Sequence, residues 1–335
     1  MGNPMRPRRT WWNLEKSARK PSDYDIASTG LLYYPGRGFE VKTPVGDWYQ
    51  RYQTGSPLKC ADWDQFRDPA EMTYTAYVEA RRDKEVYVEG LLKSASGAER
   101  DQRLHPDYLR LLDRILCPLR YPFHGLQMVS AYVGSMAPGG RLAICLLLQT
   151  GDEVRRVERI AYRMRQMQDI RPGLGTESRY CWEWEPIWQP LRQAVEKLLI
   201  TYDWGEAFTA LNLALKPALD EVFLFHLSRV AAAAGDEALS SVLLSFHEDC
   251  RWQRDWTAAL VRMLTEADPG NAAALKGWCS KWQPIAEEAA LAFAPVLASA
   301  GLDEGFIRDG VRGTLGISRA TIKEPKEPRE QVHAG

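Results

Sequence analysis

Leu142-Ala143-Ile144-Cys145-Leu146-Leu147-Leu148-Gln149-Thr150-Gly151-Asp152-Glu153-Val154-Arg155-Arg156 is the stretch that decides the fold. An unbroken apolar run of this kind predicts a buried helix. Two acids and two bases follow almost at once. A charged quartet in that place is not ordinary surface, because burying charge is costly unless the charges are paired or hold a metal. In four-helix carboxylate proteins a Glu followed three residues later by His at such a place binds iron. Here Glu153 is followed at that spacing by Arg156. The helix is a metal site, the remnant of one, or neither.

Working outward, Pro138-Gly139-Gly140 is a turn before this helix, which is expected over about 142–168 and ends at Pro172-Gly173-Leu174-Gly175. Upstream, Asp68-Pro69 has the N-cap and first-position signals of a helix running to about residue 92, with Glu71 in its first turn. A helix over 105–136 must be kinked or split at Pro118 and Pro122. Downstream, helices are expected over 183–201, 203–234 with a bend at Pro217, and 237–266 behind Gly235-Asp236. Asp268-Pro269-Gly270-Asn271 reads as a turn. A last long helix to residue 300, interrupted by Pro284 and Pro295, and a short one near 303–312 complete the series. Nothing alternates as a strand does, and no fixed period marks a solenoid. The class is all-α.

Residues 1–67 do not read as regular structure: prolines and glycines punctuate them, yet they are rich in aromatic rings. Such rings must be laid on something. Loops this long are uncommon within compact domains. The first 35 residues are therefore expected to reach a partner, with Trp11, Trp12, Tyr24, Tyr33 and Tyr34 as interface residues. From Ser318 onward the chain is polar and expected to be disordered. The division is an arm over 1–67, a helical domain over 68–315 and a tail over 316–335.

The 335 residues carry a formal net charge of −1, which makes no electrostatic case for nucleic acid or an acidic membrane surface. No apolar stretch reaches the ~20 residues that cross a bilayer, and no secretory signal follows the basic N-terminus. Six scattered cysteines, none in a CxxC pair, fit reduced thiols of a cytoplasmic protein rather than a zinc site.

A di-iron pattern needs two Glu-x-x-His pairs on helices. Three residues before His105, His124, His226, His247 and His333 stand Gln102, Tyr121, Phe223, Leu244 and Glu330. Only the last is acidic, and it lies in the tail. Gly173-x-Gly175 lacks the third glycine and the strand of a dinucleotide loop. Glu206, Glu221 and Glu248 could each serve as a general base, but none has a His partner at helical spacing. His124 and His247 read as core histidines.

Asp152-Glu153-Val154-Arg155-Arg156 nevertheless resembles the Asp-Glu-x-Arg-His ligand motif of bacterial multicomponent monooxygenases, with Arg156 in place of His. Glu248-Asp249-Cys250-Arg251-Trp252 resembles the second copy, Asp249 standing for the Glu and Trp252 for the His. The stretch Thr201-Tyr202-Asp203-Trp204-Gly205-Glu206-Ala207-Phe208-Thr209 resembles the helix of the lone Glu, with Gly205 at that place. The helix expected to carry the remaining carboxylate, 115–137, contains no acid. Arg19-Lys20-Pro21-Ser22-Asp23-Tyr24-Asp25-Ile26, Ser56-Pro57-Leu58-Lys59 and Pro118-Leu119-Arg120-Tyr121 are similar to segments of toluene and alkene monooxygenase β subunits. The resemblance spans about residues 8–300.

The resemblance implies the hydroxylase β subunit of a toluene- or alkene-type di-iron monooxygenase. Its fold would be a ferritin-like, ribonucleotide-reductase-like helical bundle with a long irregular N-terminal arm. Glu153, Arg156, Gly205, Asp249 and Trp252 would be degenerate ligand positions, with no catalytic, cofactor or metal site on this chain. The implied partners are an iron-bearing α subunit and a γ subunit in a dimer of αβγ trimers. An effector protein and a Rieske ferredoxin/reductase chain would deliver NADH-derived electrons. Glu153 and Arg156 are expected to fill the former site as an ion pair. Two other readings stand beside this one: a stand-alone helical enzyme with an unusual metal or acid/base site, and a non-enzymatic helical adaptor.

Overall fold

The computed structural model describes residues 20–29, 42–95 and 99–322. In chain order the helices are α1 (Asp23–Ser28), α2 (Pro44–Tyr49), α3 (Tyr74–Ala95), α4 (Glu99–Gln102), α5 (Pro106–Leu111), α6 (Arg120–Ser135), α7 (Gly140–Gln168) and α8 (Ser178–Trp184). They continue as α9 (Gln189–Leu199), α10 (Trp204–Ala210), α11 (Lys216–Asp220), α12 (Leu227–Ala233), α13 (Glu237–Ala267), α14 (Pro269–Leu291), α15 (Ala294–Ser299) and α16 (Glu304–Ala320). No strand occurs among the described residues. The architecture is a ferritin-like helical bundle. Two π-helical turns, Leu211–Leu215 and Glu221–His226, join α10, α11 and α12 into one rod. That rod, α6, α7 and α13 enclose the centre, and α3 lies across α7 and α13.

Local chemistry sets the boundaries. Asp203 caps α10 through Glu206 N–H and Asp236 caps α13 through Leu239 N–H, as side-chain acceptors do for otherwise unpaired N-terminal donors. Pro217 has no N–H for the Leu213 carbonyl one turn back. The chain absorbs the loss in the π turn, and Gln283 Nε2 donates to the freed Leu213 oxygen at 3.1 Å. Pro118 splits the expected 105–136 helix: a π turn and the 3-10 turn Cys117–Leu119 separate α5 from α6. Glu185 is extended and divides the expected 183–201 helix into α8 and α9.

Other expectations are corrected. Asp68-Pro69 does not start a helix. Asp68 is fully buried, its carboxylate accepting from Ala70 N–H, Met72 N–H and Trp252 Nε1. Glu71 adopts φ 48°, a left-handed conformation in which a helix cannot proceed, so α3 begins at Tyr74. Conversely, Asp268-Pro269 is no turn between separated helices: Asp268 ends α13 and caps α14 in a single residue. α16 runs to Ala320, beyond both its expected end and the expected start of the tail. Buried Ile307, Val311 and Leu315 outweigh the low helix propensity of Gly310, Gly313 and Gly316.

The expected irregular arm is partly regular and dresses the bundle itself. It contains α1, α2 and a π turn, Gln50–Thr54. Gln53 donates to the Met136 carbonyl, Ser56 to the Asp203 carboxylate, and Lys59 pairs through its backbone with the Asn271 amide. Tyr24 is only 3 % exposed. Its hydroxyl accepts from Asp68 N–H, and the Arg67 and Arg141 guanidinia lie over its ring. It therefore packs on its own chain rather than offering its ring to a partner. Trp11, Trp12, Tyr33 and Tyr34 lie outside the described residues, as does 323–335. Trp188, Trp204, Trp256 and Trp282 are core.

Candidate functional site

Four charges meet at the middle of the bundle. α7 supplies Glu153 and Arg156, one turn apart; α11 supplies Lys216 and Asp220, also one turn apart. Arg156 Nη1 lies 2.9 and 3.0 Å from the two Glu153 oxygens and 3.0 Å from Asp220 Oδ1. Lys216 Nζ lies 2.5 Å from Glu153 Oε1 and 3.2 Å from Asp220 Oδ2. All four side chains are at most 4 % exposed. Two cations face two carboxylates, so the cluster is neutral, which is the condition for keeping charge out of water. From α13, the Cys250 sulfur accepts from Arg156 Nη2, and from α6 the Phe123 ring lies beneath the guanidinium.

Burial works against the charge on Arg156, but Glu153 and Asp220 more than reverse it and hold the guanidinium well above its usual range. For Lys216, burial and Arg156 oppose the charge, and Asp220 and Glu153 win, so it too is raised. Burial pushes the Asp220 carboxyl upward, and Lys216 and Arg156 bring it below its ordinary value. The Cys250 thiol is pushed up by burial to about 12 and stays protonated, donating to the Phe246 carbonyl. The space left beside these residues is about 10 Å³, at the limit for one water molecule.

This donor set does not fit a metal. A cation entering here would have to displace Arg156 and Lys216 from both carboxylates, and no imidazole is within the set. No group of three or more His, Cys, Asp or Glu suited to a metal occurs among the described residues. Neither carboxylate is left uncommitted for acid/base work.

Of the five expected ligand positions, Glu153 and Arg156 come together as the anticipated pair. Gly205, Asp249 and Trp252 do not join them. Gly205, at the start of α10, packs against the arm, where an added Cβ would lie 2.7 Å from Leu58 Cδ1. The same rod reaches the centre instead through Lys216, beyond the π turn Leu211–Leu215, which shifts the helical phase between the two positions. On α13 the inward residue is Cys250, one position after Asp249. Trp252 reaches away to Asp68. The missed signal was Lys216-x-x-x-Asp220, an i,i+4 ion pair within an otherwise apolar run.

Asp249 belongs to a second network that fastens α3. Arg81 grips Asp152 through two nitrogens, at 2.6 and 2.8 Å, and Asp249 at 2.9 Å. Lys84 and Arg155 also pair with Asp249, and Glu85 with Arg155 and Arg159. Tyr77 and Gln253 complete the bonds to Asp152. Residues 152, 155 and 159 share one side of α7, so this helix serves both networks at once. Burial raises the Asp249 carboxyl, but Arg81 and Arg155 outweigh it and hold the group low.

These shifts fix a stability profile. Asp220 and Asp249 are depressed, so their contribution is present above the ordinary carboxylate value of 3.8 and is lost as pH falls through their lower folded values. Lys216 and the Cys250 thiol are raised, so theirs is present below the ordinary 10.5 and 9.0 and is lost as pH climbs beyond them. Melting curves are expected to be flat from about pH 5 to 8 and to fall on both sides. A melting temperature that rises between pH 4 and pH 3 contradicts this assignment.

A family described as methane/phenol/alkene hydroxylase matches residues 48–268. The toluene-4-monooxygenase system hydroxylase component subunit β of Ectopseudomonas mendocina is 39 % identical over 301 residues, covering 88 % of this chain and 92 % of that protein. The phenol 2-monooxygenase oxygenase component DmpL of Pseudomonas sp. strain CF600 is 24 % identical over 313 residues, with 89 % and 90 % covered. Among solved structures, a chain of toluene 4-monooxygenase with toluene bound in its resting active site superposes with a TM-score of 0.82 at 38 % identity, over 89 % of this chain and all of that one. A chain of xenon-pressurised phenol hydroxylase from Pseudomonas sp. OX1 gives a TM-score of 0.83 over 98 % and 99 % of the two chains; at 21 % identity it shows the fold.

Proposed function

Because the chain belongs to the methane/phenol/alkene hydroxylase family, as a hydroxylase β subunit of the multicomponent monooxygenases, we propose that it is the non-catalytic scaffold of that component. The observation that carries this reading is the neutral Glu153–Arg156–Lys216–Asp220 cluster. It occupies the bundle centre, the place where four-helix carboxylate proteins hold iron. Two fixed cations there do the work of a metal charge: they neutralise inward carboxylates and cross-link α7 to the central rod. Glu153 and Arg156 are the degenerate ligand positions, with Lys216, Asp220 and Cys250 as their partners in place of Gly205, Asp249 and Trp252.

The chain's role is then assembly. The di-iron centre belongs to a partner α subunit, which inserts one oxygen of O2 into an aromatic hydrocarbon. A γ subunit completes a dimer of αβγ trimers. An effector protein and a Rieske ferredoxin/reductase chain serve the complex in the cytoplasm with electrons from NADH. The relatives named for toluene and phenol monooxygenases favour an aromatic substrate over an alkene.

Coexpression tests this directly. A tagged copy of this chain is expected to co-purify with an α subunit carrying two intact Glu-x-x-His pairs. NADH-dependent toluene oxidation is expected only when both are present. Oxidation by this chain without the α subunit, or no association, overturns the reading.

A further inference from the structure

The outward side of α7 is apolar where a solvent-facing helix is normally polar. Leu147, 65 % exposed, and Val154 lie seven residues apart on one exposed stripe, and Tyr162 continues the line eight residues on, past the exposed Glu158. Between residues 143 and 157 no outward position carries a charge, because Asp152, Glu153, Arg155 and Arg156 all turn into the two internal networks.

The stripe is the middle of a three-helix face. On one side α6 packs closely on α7, Ser130 donating to the Leu146 carbonyl, and presents exposed Met128. On the other, α3 crosses α7 at Gly151, where an added Cβ would lie 2.8 Å from the Tyr77 hydroxyl. The adjoining turns of α3 present Val78 and Tyr74, the latter 72 % exposed. Elsewhere exposed apolar side chains form short patches near helix ends, Tyr180 with Trp184 and Leu199 with Ile200 and Tyr202, or stand singly as Ile317 does.

We infer that this face of α3, α6 and α7 is where the larger hydroxylase α subunit docks, laying a helix along the α7 stripe. The inference rests on the reading of the chain as a hydroxylase β subunit. A relative matching over most of both chains is named as one subunit of a hydroxylase component, so a protein of another sequence is the occupant to expect. An apolar centre of Leu147 and Val154, closed at one end by the exposed Glu158, has the apolar-core, polar-rim layout of a permanent interface, whereas transient electron-transfer contacts are small and weak.

The test titrates the intact chain against the tagged α subunit. The double variant L147D/V154D is expected to bind at least ~100-fold more weakly. Its melting temperature as an isolated chain is expected to stay within a few degrees of wild type, since both side chains are exposed. Ile200→Asp, at an equally exposed position outside the face, is expected to leave binding unchanged. Undiminished binding by L147D/V154D overturns the docking face while the proposed function stands. A homodimer of the wild-type chain in sedimentation that L147D/V154D abolishes gives the face to a second copy and also overturns the inference. Failure of the wild-type chain to bind the α subunit overturns the proposed function itself, and the docking face with it.

Discussion

Glu153→Ala is expected to destabilise the chain by about 3–5 kcal/mol, the usual cost of removing one partner from a buried ion pair. Glu153 faces both cations, Arg156 and Lys216. Its loss leaves two buried positive charges against Asp220 alone. The space beside Lys216 and Asp220, about 10 Å³, holds one water molecule at most, too little to solvate two charges. Calorimetry is expected to show a fall in melting temperature of roughly 5–15 °C. The companion experiment replaces all four residues together, as E153L/R156M/K216M/D220L. Exchange of a buried ionic cluster for apolar side chains of similar volume is often neutral or stabilising, so this variant is expected to melt within a few degrees of wild type or above it. A single substitution that costs more than the complete replacement identifies charge pairing, rather than packing, as what the cluster requires. An unchanged melting temperature in Glu153→Ala refutes the buried pair.

Arg81→Met is expected to have the second largest effect, about 2–4 kcal/mol, and a local one. The Arg81 side chain is 11 % exposed and makes the only double-nitrogen grip on Asp152 described in this network, together with a bond to Asp249. Asp152 retains Tyr77 and Gln253, and Asp249 retains Lys84 and Arg155, so the bundle survives. α3 is the element that loosens. Among its described side chains only Val88 and Leu92 are buried, Tyr77 and Leu91 pack half-buried against the core, and the larger part of its remaining attachment is ionic. Hydrogen exchange is expected to accelerate in α3 while α7 and α13 keep their protection. Uniform acceleration in all three helices would mean that Arg81 supports the whole bundle instead.

The all-α class was legible because helix-period apolar runs and capping signals agree along most of the chain. Asp236 before α13 and Pro138-Gly139-Gly140 before α7 place those starts within two residues. What was not legible depends on tertiary contacts. Asp68-Pro69 and Asp268-Pro269 are the same dipeptide with opposite outcomes. The first is drawn into bonds with Trp252 and Tyr24, and the second caps α14. The site shows the same limit. Glu153 and Arg156 lie one turn apart on one helix, so spacing alone pairs them. Between Gly205 and Lys216 lies the π turn Leu211–Leu215, which breaks the α-helical phase, so a 3.6-residue period read from Gly205 does not find the inward position on the rod. Asp249 and Cys250 differ by 100° of rotation, and only the position of α3, whose Arg81 and Lys84 claim Asp249, decides which one turns inward.

The most direct measurement of the central claim is the iron content of this chain purified after expression without its partners in iron-supplemented medium, set beside that of the assembled hydroxylase. Arg156 and Lys216 neutralise Glu153 and Asp220 from within, so elemental analysis is expected to find only background iron on the isolated chain and a di-iron complement that tracks the α subunit in the complex. Stoichiometric iron on this chain alone would contradict the account.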